Sequence, residues 1–77
     1  KRIYRDWRFA TFRAALDFVE RVAEVAERVG HHPNIVMHEY HFVRVESYDH
    51  LTGGLGTKDI ELARAIDRLK LPRRKRK

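Results

Sequence analysis

Between Thr11 and Gly30 apolar residues return every three or four positions: Phe12, Ala15, Leu16, Val19, Val22, Ala23, Ala26 and Val29. That spacing draws one apolar stripe along about five turns of α-helix. The opposite face carries Arg13, Asp17, Arg21, Glu24 and Arg28, with Asp17–Arg21 and Glu24–Arg28 at the i,i+4 separation of helical ion pairs. Thr11 is placed to cap the N-terminus and Gly30 to close the C-terminus in a left-handed conformation. The pattern predicts a helix over 12–29. Before it, Ile3 to Phe9 is short and aromatic, with Trp7 and Phe9 two apart and so on one side of a strand.

After the helix the period changes from 3.6 to 2. Val43, Val45 and Ser47 alternate with Phe42, Arg44 and Glu46, which predicts a strand with one face turned inward. The parity of Ile35 and Met37 does not carry through Glu39-Tyr40-His41, so two strands joined by a tight turn are expected there, although neither Gly nor Pro marks it. Leu51 to Gly56 reads as a glycine loop. A second helix over 58–70, starting near Thr57, carries Ile60, Leu62, Ala63, Ile66 and Leu69 inward and stops before Pro72. The order strand–helix–strand–strand–helix specifies an α+β fold: an antiparallel sheet with both helices on one face.

Size and composition narrow the classes. Seventy-seven residues make a single small domain, expected over 1–71, with 72–77 as a disordered basic tail. A chain this short buries only about 60% of its unfolded surface. It has no cysteine, so neither disulfides nor thiolate zinc reinforce it, and a homodimer or homotetramer is expected. No apolar run approaches the ~18 residues of a membrane span, and no secretory signal pattern is present, so a cytoplasmic protein without membrane contact is expected. One Asn, no Gln and 36% charged residues fit a thermophilic source. The net charge of +6 suggests nucleic acid until its position is considered. Arg73, Arg74, Lys75, Arg76 and Lys77 hold all but one of those charges, in a tail rather than on a folded face. Nucleic acid is therefore not the expected partner.

The chemistry gathers at histidine. His31 and His32 stand where the first helix stops, and His50 where the last strand gives way to the glycine loop. If the two strands form a hairpin, its open end lies beside both places, and three imidazoles can share one pocket. Histidine titrates near neutral pH, which suits acid–base catalysis without a cofactor. A metal site is not expected, because adjacent histidines point apart and no carboxylate sits at ligand spacing. His38 and His41 read as exposed turn or sheet residues.

The stretch from Glu27 through His31-His32-Pro33, followed by Tyr40, His50, Gly53-Gly54-Leu55 and Asp59, resembles the signature of the pterin-4a-carbinolamine dehydratases. Trp7-Arg8-Phe9 and Ala14 to Val19 resemble that family's aromatic strand and long helix. The resemblance covers roughly Ile3 to Ile66. It implies dehydration of 4a-hydroxytetrahydropterin to quinonoid dihydropterin. One proton is delivered to the departing hydroxyl and another is taken from the ring nitrogen, with no cofactor. It assigns His31 and His50 as the acid–base pair, and His32 and Asp59 to the substrate. Glu27 and Pro33 are supporting residues; Glu27, a helical turn before His31, is placed to orient that imidazole. Two plainer readings stand beside these: Glu27 as a solvated helix residue, and Asp59 as a dipole partner of the second helix.

Some positions depart from the family pattern. Its first helix and Gly-Trp strand have no counterpart in these 77 residues. Asp49 stands where Thr usually precedes the third histidine, and an anion there would favour the imidazolium and shift a pH optimum upward. Leu51 replaces a polar residue, and Gly56 takes the place of a capping Thr. The alternatives to catalysis are a protein-binding role, since animal members are dimerisation cofactors of a homeodomain transcription factor, and nucleic-acid association through the tail.

Overall fold

The computed structural model describes residues 3–48 and 56–69. Its elements are β1 (Ile3–Arg8), α1 (Phe12–Val29), β2 (Asn34–His38), β3 (Phe42–Ser47) and α2 (Thr57–Asp67). The three strands form an antiparallel sheet in the order β1-β3-β2, so the last strand in sequence lies in the middle. Its register sets Trp7, Val43 and Met37 side by side, and Arg5, Val45 and Ile35 in the next inward row. The α+β architecture is the one the periodicities specify.

Helix α1 has the limits its sequence predicts. The Thr11 hydroxyl accepts a hydrogen bond from the Ala14 amide at 3.0 Å. Gly30, at φ 79°, closes the last turn through its amide to the Ala26 carbonyl at 2.8 Å. A left-handed φ of this kind favours glycine, which has no Cβ to strain. The buried arc is rotated from the expected stripe, for Ala15, Phe18, Val22, Val25 and Ala26 go inward while Phe12 and Ala23 stay exposed. The helix is apolar on more than one side, and its own period does not say which side meets the sheet. Phe18 decides the matter: Trp7 and Phe9 both pack on it, with ring centroids 4.6 and 5.2 Å away.

Val43 and Val45 of β3, with Leu62 and Ile66 of α2, complete the core. The outer face mixes Tyr4 and Val36 with polar side chains, and Arg44 at its centre donates to both Asp6 carboxylate oxygens at 2.8 and 3.0 Å and lies over the Tyr4 ring. Helix α2 ends at Asp67 rather than running to residue 70. Its last turn tightens, the Arg68 amide being shared between the Arg64 and Ala65 carbonyls and the Leu69 amide reaching Ile66. Among the described residues no helix is long and apolar enough to cross a membrane.

The turn between β2 and β3 is formed without glycine. Glu39 and Tyr40 take φ of 46° and 54°, in the left-handed region where bulky side chains are strained. Replacing Glu39-Tyr40 by Asn-Gly is expected to raise stability by about 1 kcal/mol, read as a higher denaturant midpoint with an unchanged slope. A lower midpoint would show that the contact between the Tyr40 and His41 rings, 4.2 Å apart, outweighs the strain.

Candidate active site

Three separated segments meet at one buried carboxylate. The first is the exit from α1, where the His31 amide also bonds to the Ala26 carbonyl, at 3.1 Å, and turns the chain back towards α2. The second is the end of β3, where Ser47 follows Val43 and Val45 on the inward face. The third is the first turn of α2, entered through Gly56 with extended backbone. Lys58 fastens the first segment to the third by donating to the Val29 carbonyl at 2.9 Å.

Asp59 stands three residues inside α2 and is 0% exposed. One of its oxygens, Oδ2, accepts the Gly56 amide at 2.7 Å, so the side chain caps its own helix. The other, Oδ1, accepts the Ser47 hydroxyl and lies 2.6 Å from His31 Nε2. Burial pushes the Asp59 carboxyl upward, but the hydrogen bonds from Ser47, Gly56 and His31 together outweigh it and hold the group below its ordinary value. An ionised carboxylate only accepts, so His31 Nε2 carries the hydrogen. In the neutral ring the lone pair able to take a proton then belongs to Nδ1.

Asp59 keeps the dipole role, but its expected contact with the substrate needs correction: the side chain is fully buried and both oxygens are taken by Gly56, Ser47 and His31. The Glu27 expectation needs correction. Its carboxylate lies 2.9 Å from His32 Nε2, not at His31. From the last turn of α1 it reaches past His31, whose ring turns inward to Asp59. His31 has an 18% exposed side chain and His32 a 67% exposed one, so the two imidazoles occupy different environments and hold different partners. Pro33 is half-buried just before β2. His38 is exposed and stacks on Phe42, while His41 is half-buried and lies 2.6 Å through Nδ1 from the Glu39 carbonyl. His50, Asp49, Leu51, the Gly53-Gly54-Leu55 segment and the tail lie outside the described residues. A cleft of about 110 Å³ between β1 and α2, lined by Trp7, Val45, Ser47, Leu62 and Ile66 among others, contains neither His31 nor His32.

The sequence pattern does not mark Ser47 as a site residue. The available signal was its parity, a hydroxyl in register with two buried valines, since a polar group on a core-facing row needs a partner.

The family model for pterin 4 alpha carbinolamine dehydratase matches residues 1–69. A mitochondrial pterin-4-alpha-carbinolamine dehydratase 2 of Arabidopsis thaliana is 39% identical over 91% of this chain, which spans 37% of that protein. A Chloroflexus aggregans protein named for the same dehydratase is 48% identical over 87% of this chain and 70% of its own length. Among solved structures, a transcriptional coactivator/pterin dehydratase from Brucella melitensis superposes with a TM-score of 0.76 at 32% identity, covering 86% of this chain and 69% of that one. A pterin dehydratase-like protein described as a RuBisCO assembly factor in the alpha-carboxysome shares the fold, with a TM-score of 0.69, 24% identity, and coverage of 86% and 75%. With the family model matching 69 of the 77 residues and the fold shared with these structures, the chain belongs to the pterin-4a-carbinolamine dehydratase family.

Proposed function

We propose that this protein dehydrates a 4a-hydroxytetrahydropterin to the quinonoid dihydropterin, with His31 as one of the two acid–base groups. The observation that carries the reading is the His31–Asp59 pair: an imidazole oriented through Nε2 by a buried anion, with Nδ1 left to exchange a proton. The elimination breaks the bond from C4a to its hydroxyl, which leaves as water after receiving a proton. The ring-nitrogen proton departs, and its electron pair forms the new double bond. His50 supplies the second group, His32 holds the pterin, Asp59 acts through His31, and Glu27 steadies His32. No cofactor takes part. The test of the binding step uses 7,8-dihydrobiopterin, a reduced pterin with no hydroxyl to lose. It should perturb the imidazole NMR signals of His31 and His32 and leave His38 unmoved. Perturbation of His38 alone would contradict the assignment.

The working form is a homodimer or homotetramer. Phe12, Leu16, Val19 and Ala23 follow a 4-3-4 spacing along α1, beside the buried arc and only partly covered. Such a seam suits a second helix. Sedimentation should give a multiple of the 9.2 kDa chain, and Leu16→Glu should reduce it to a single copy. A parent protein that sediments as 9.2 kDa at micromolar concentration would overturn this.

The second reading, docking without turnover, draws on the same partly covered seam and on the Brucella melitensis relative's name as a transcriptional coactivator. His31→Ala separates the two, because it removes turnover and leaves docking intact. Nucleic-acid association through Arg73 to Lys77 would instead weaken steeply with salt.

A further inference from the structure

We infer that Ser47 is a positioning residue of the active site, its hydroxyl holding the Asp59 carboxylate in the orientation in which Oδ1 meets His31 Nε2. The inference rests on the reading of His31 as an acid–base group, but it is carried by geometry in the free protein. Ser47 is the innermost polar residue of β3, 5% exposed, in a row otherwise filled by Val43 and Val45. A hydroxyl buried there is costly unless paired, and its partner is the oxygen that His31 also uses. Asp59 is therefore pinned at both ends: Gly56 fixes Oδ2 from the helix, and Ser47 fixes Oδ1 from the sheet. Without the hydroxyl, the amide and the imidazole alone would hold the carboxylate, and the imidazole would be anchored to a looser group.

The charged surroundings leave few other anchors. Among the described residues, His31 is the titratable side chain within hydrogen-bonding distance of Asp59. On α2, Lys58 is engaged with the Val29 carbonyl and lies 3.8 Å from Glu61. On β3, Glu46 belongs to the outer row and lies 3.8 Å from Arg44, and Tyr48 follows Ser47 in the chain. Of the groups that keep the Asp59 carboxyl low against its burial, Ser47 contributes most, ahead of Gly56 and His31.

The experiment is an NMR titration of the Asp59 carboxyl carbon and the His31 ring nitrogens in the parent, Ser47→Ala, Ser47→Cys and Ser47→Thr. Ser47→Ala should move the Asp59 midpoint upward by about one pH unit or more, the worth of a hydrogen bond to a charged group. It should also mix the His31 tautomers, now held in the Nε2–H form. Ser47→Thr, which keeps the hydroxyl, should restore both signals. Ser47→Cys, a near-isosteric weaker donor, should fall between and carries the comparison if the alanine variant does not fold. An Asp59 midpoint and His31 tautomer unchanged in a folded Ala or Cys variant would overturn the inference. No substrate is needed, so a parent lacking turnover would contradict the proposed function and leave this result standing.

Discussion

Replacing His31 by alanine is expected to lower the dehydration rate by about two to four orders of magnitude, the usual worth of one general acid–base group. The fold should survive, because His31 lies outside the hydrophobic core and α1 is closed before it by Gly30. His50→Ala should cost a similar factor. His32→Ala should act on KM instead, since its exposed imidazole pairs with Glu27 and not with the buried carboxylate. His38→Ala and His41→Ala are controls expected to be nearly silent. Steady-state rates, with circular dichroism to confirm folding, read all five. A folded His31→Ala protein with the parent kcat would remove His31 from the mechanism.

The second large effect belongs to Asp59, where stability and chemistry meet. Asp59→Ala leaves the Ser47 hydroxyl, the Gly56 amide and His31 Nε2 without their acceptor at a buried position. The expected cost is about 3 kcal/mol, within the range for breaking a buried polar network. For a domain of this size that lowers Tm by roughly 10–20 °C at fixed protein concentration. The effect depends on pH with a definite sign. The folded carboxyl titrates below its ordinary value, so the unfolded chain binds its proton more readily. The stability due to ionised Asp59 is fully present above the ordinary carboxylate range and is lost as pH falls through the folded value. The gap between the parent and Asp59→Asn should therefore be widest near neutrality and shrink from about pH 5 downward. A gap independent of pH between 3 and 7 would mean that Asp59 is not held as an anion.

The elements were legible because each has its own period. The cap at Thr11, the left-handed Gly30 and the alternation from Phe42 to Ser47 are local signals, and local physics honours them. The rotation of α1 about its axis was not legible, because Phe18 is chosen over Phe12 by Trp7 and Phe9 from a distant strand. The left-handed turn at Glu39-Tyr40 escaped composition for the same reason: strand pairing on both sides imposes it on residues that disfavour it. At the site, the family signature names His31, His32 and Asp59 without their wiring, and the structure joins His31 to Asp59 while His32 pairs elsewhere. Glu27 is one turn from His31 in sequence, yet the chain reversal after Gly30 gives it His32 and gives His31 the carboxylate of α2. Ser47 was hidden because a single serine in a strand has no motif; only the three-dimensional meeting of β3 with α2 makes it part of the site.

Turnover by the purified protein is the most direct test of its function. Purified folded protein is mixed with freshly generated 4a-hydroxytetrahydropterin, and the appearance of quinonoid dihydropterin is followed by absorbance. The prediction is dehydration well above the spontaneous rate, proportional to protein concentration and reduced at least about a hundredfold in His31→Ala. A folded parent protein that leaves the reaction at its buffer rate, across the pH range in which the pterin survives, would contradict the proposed function.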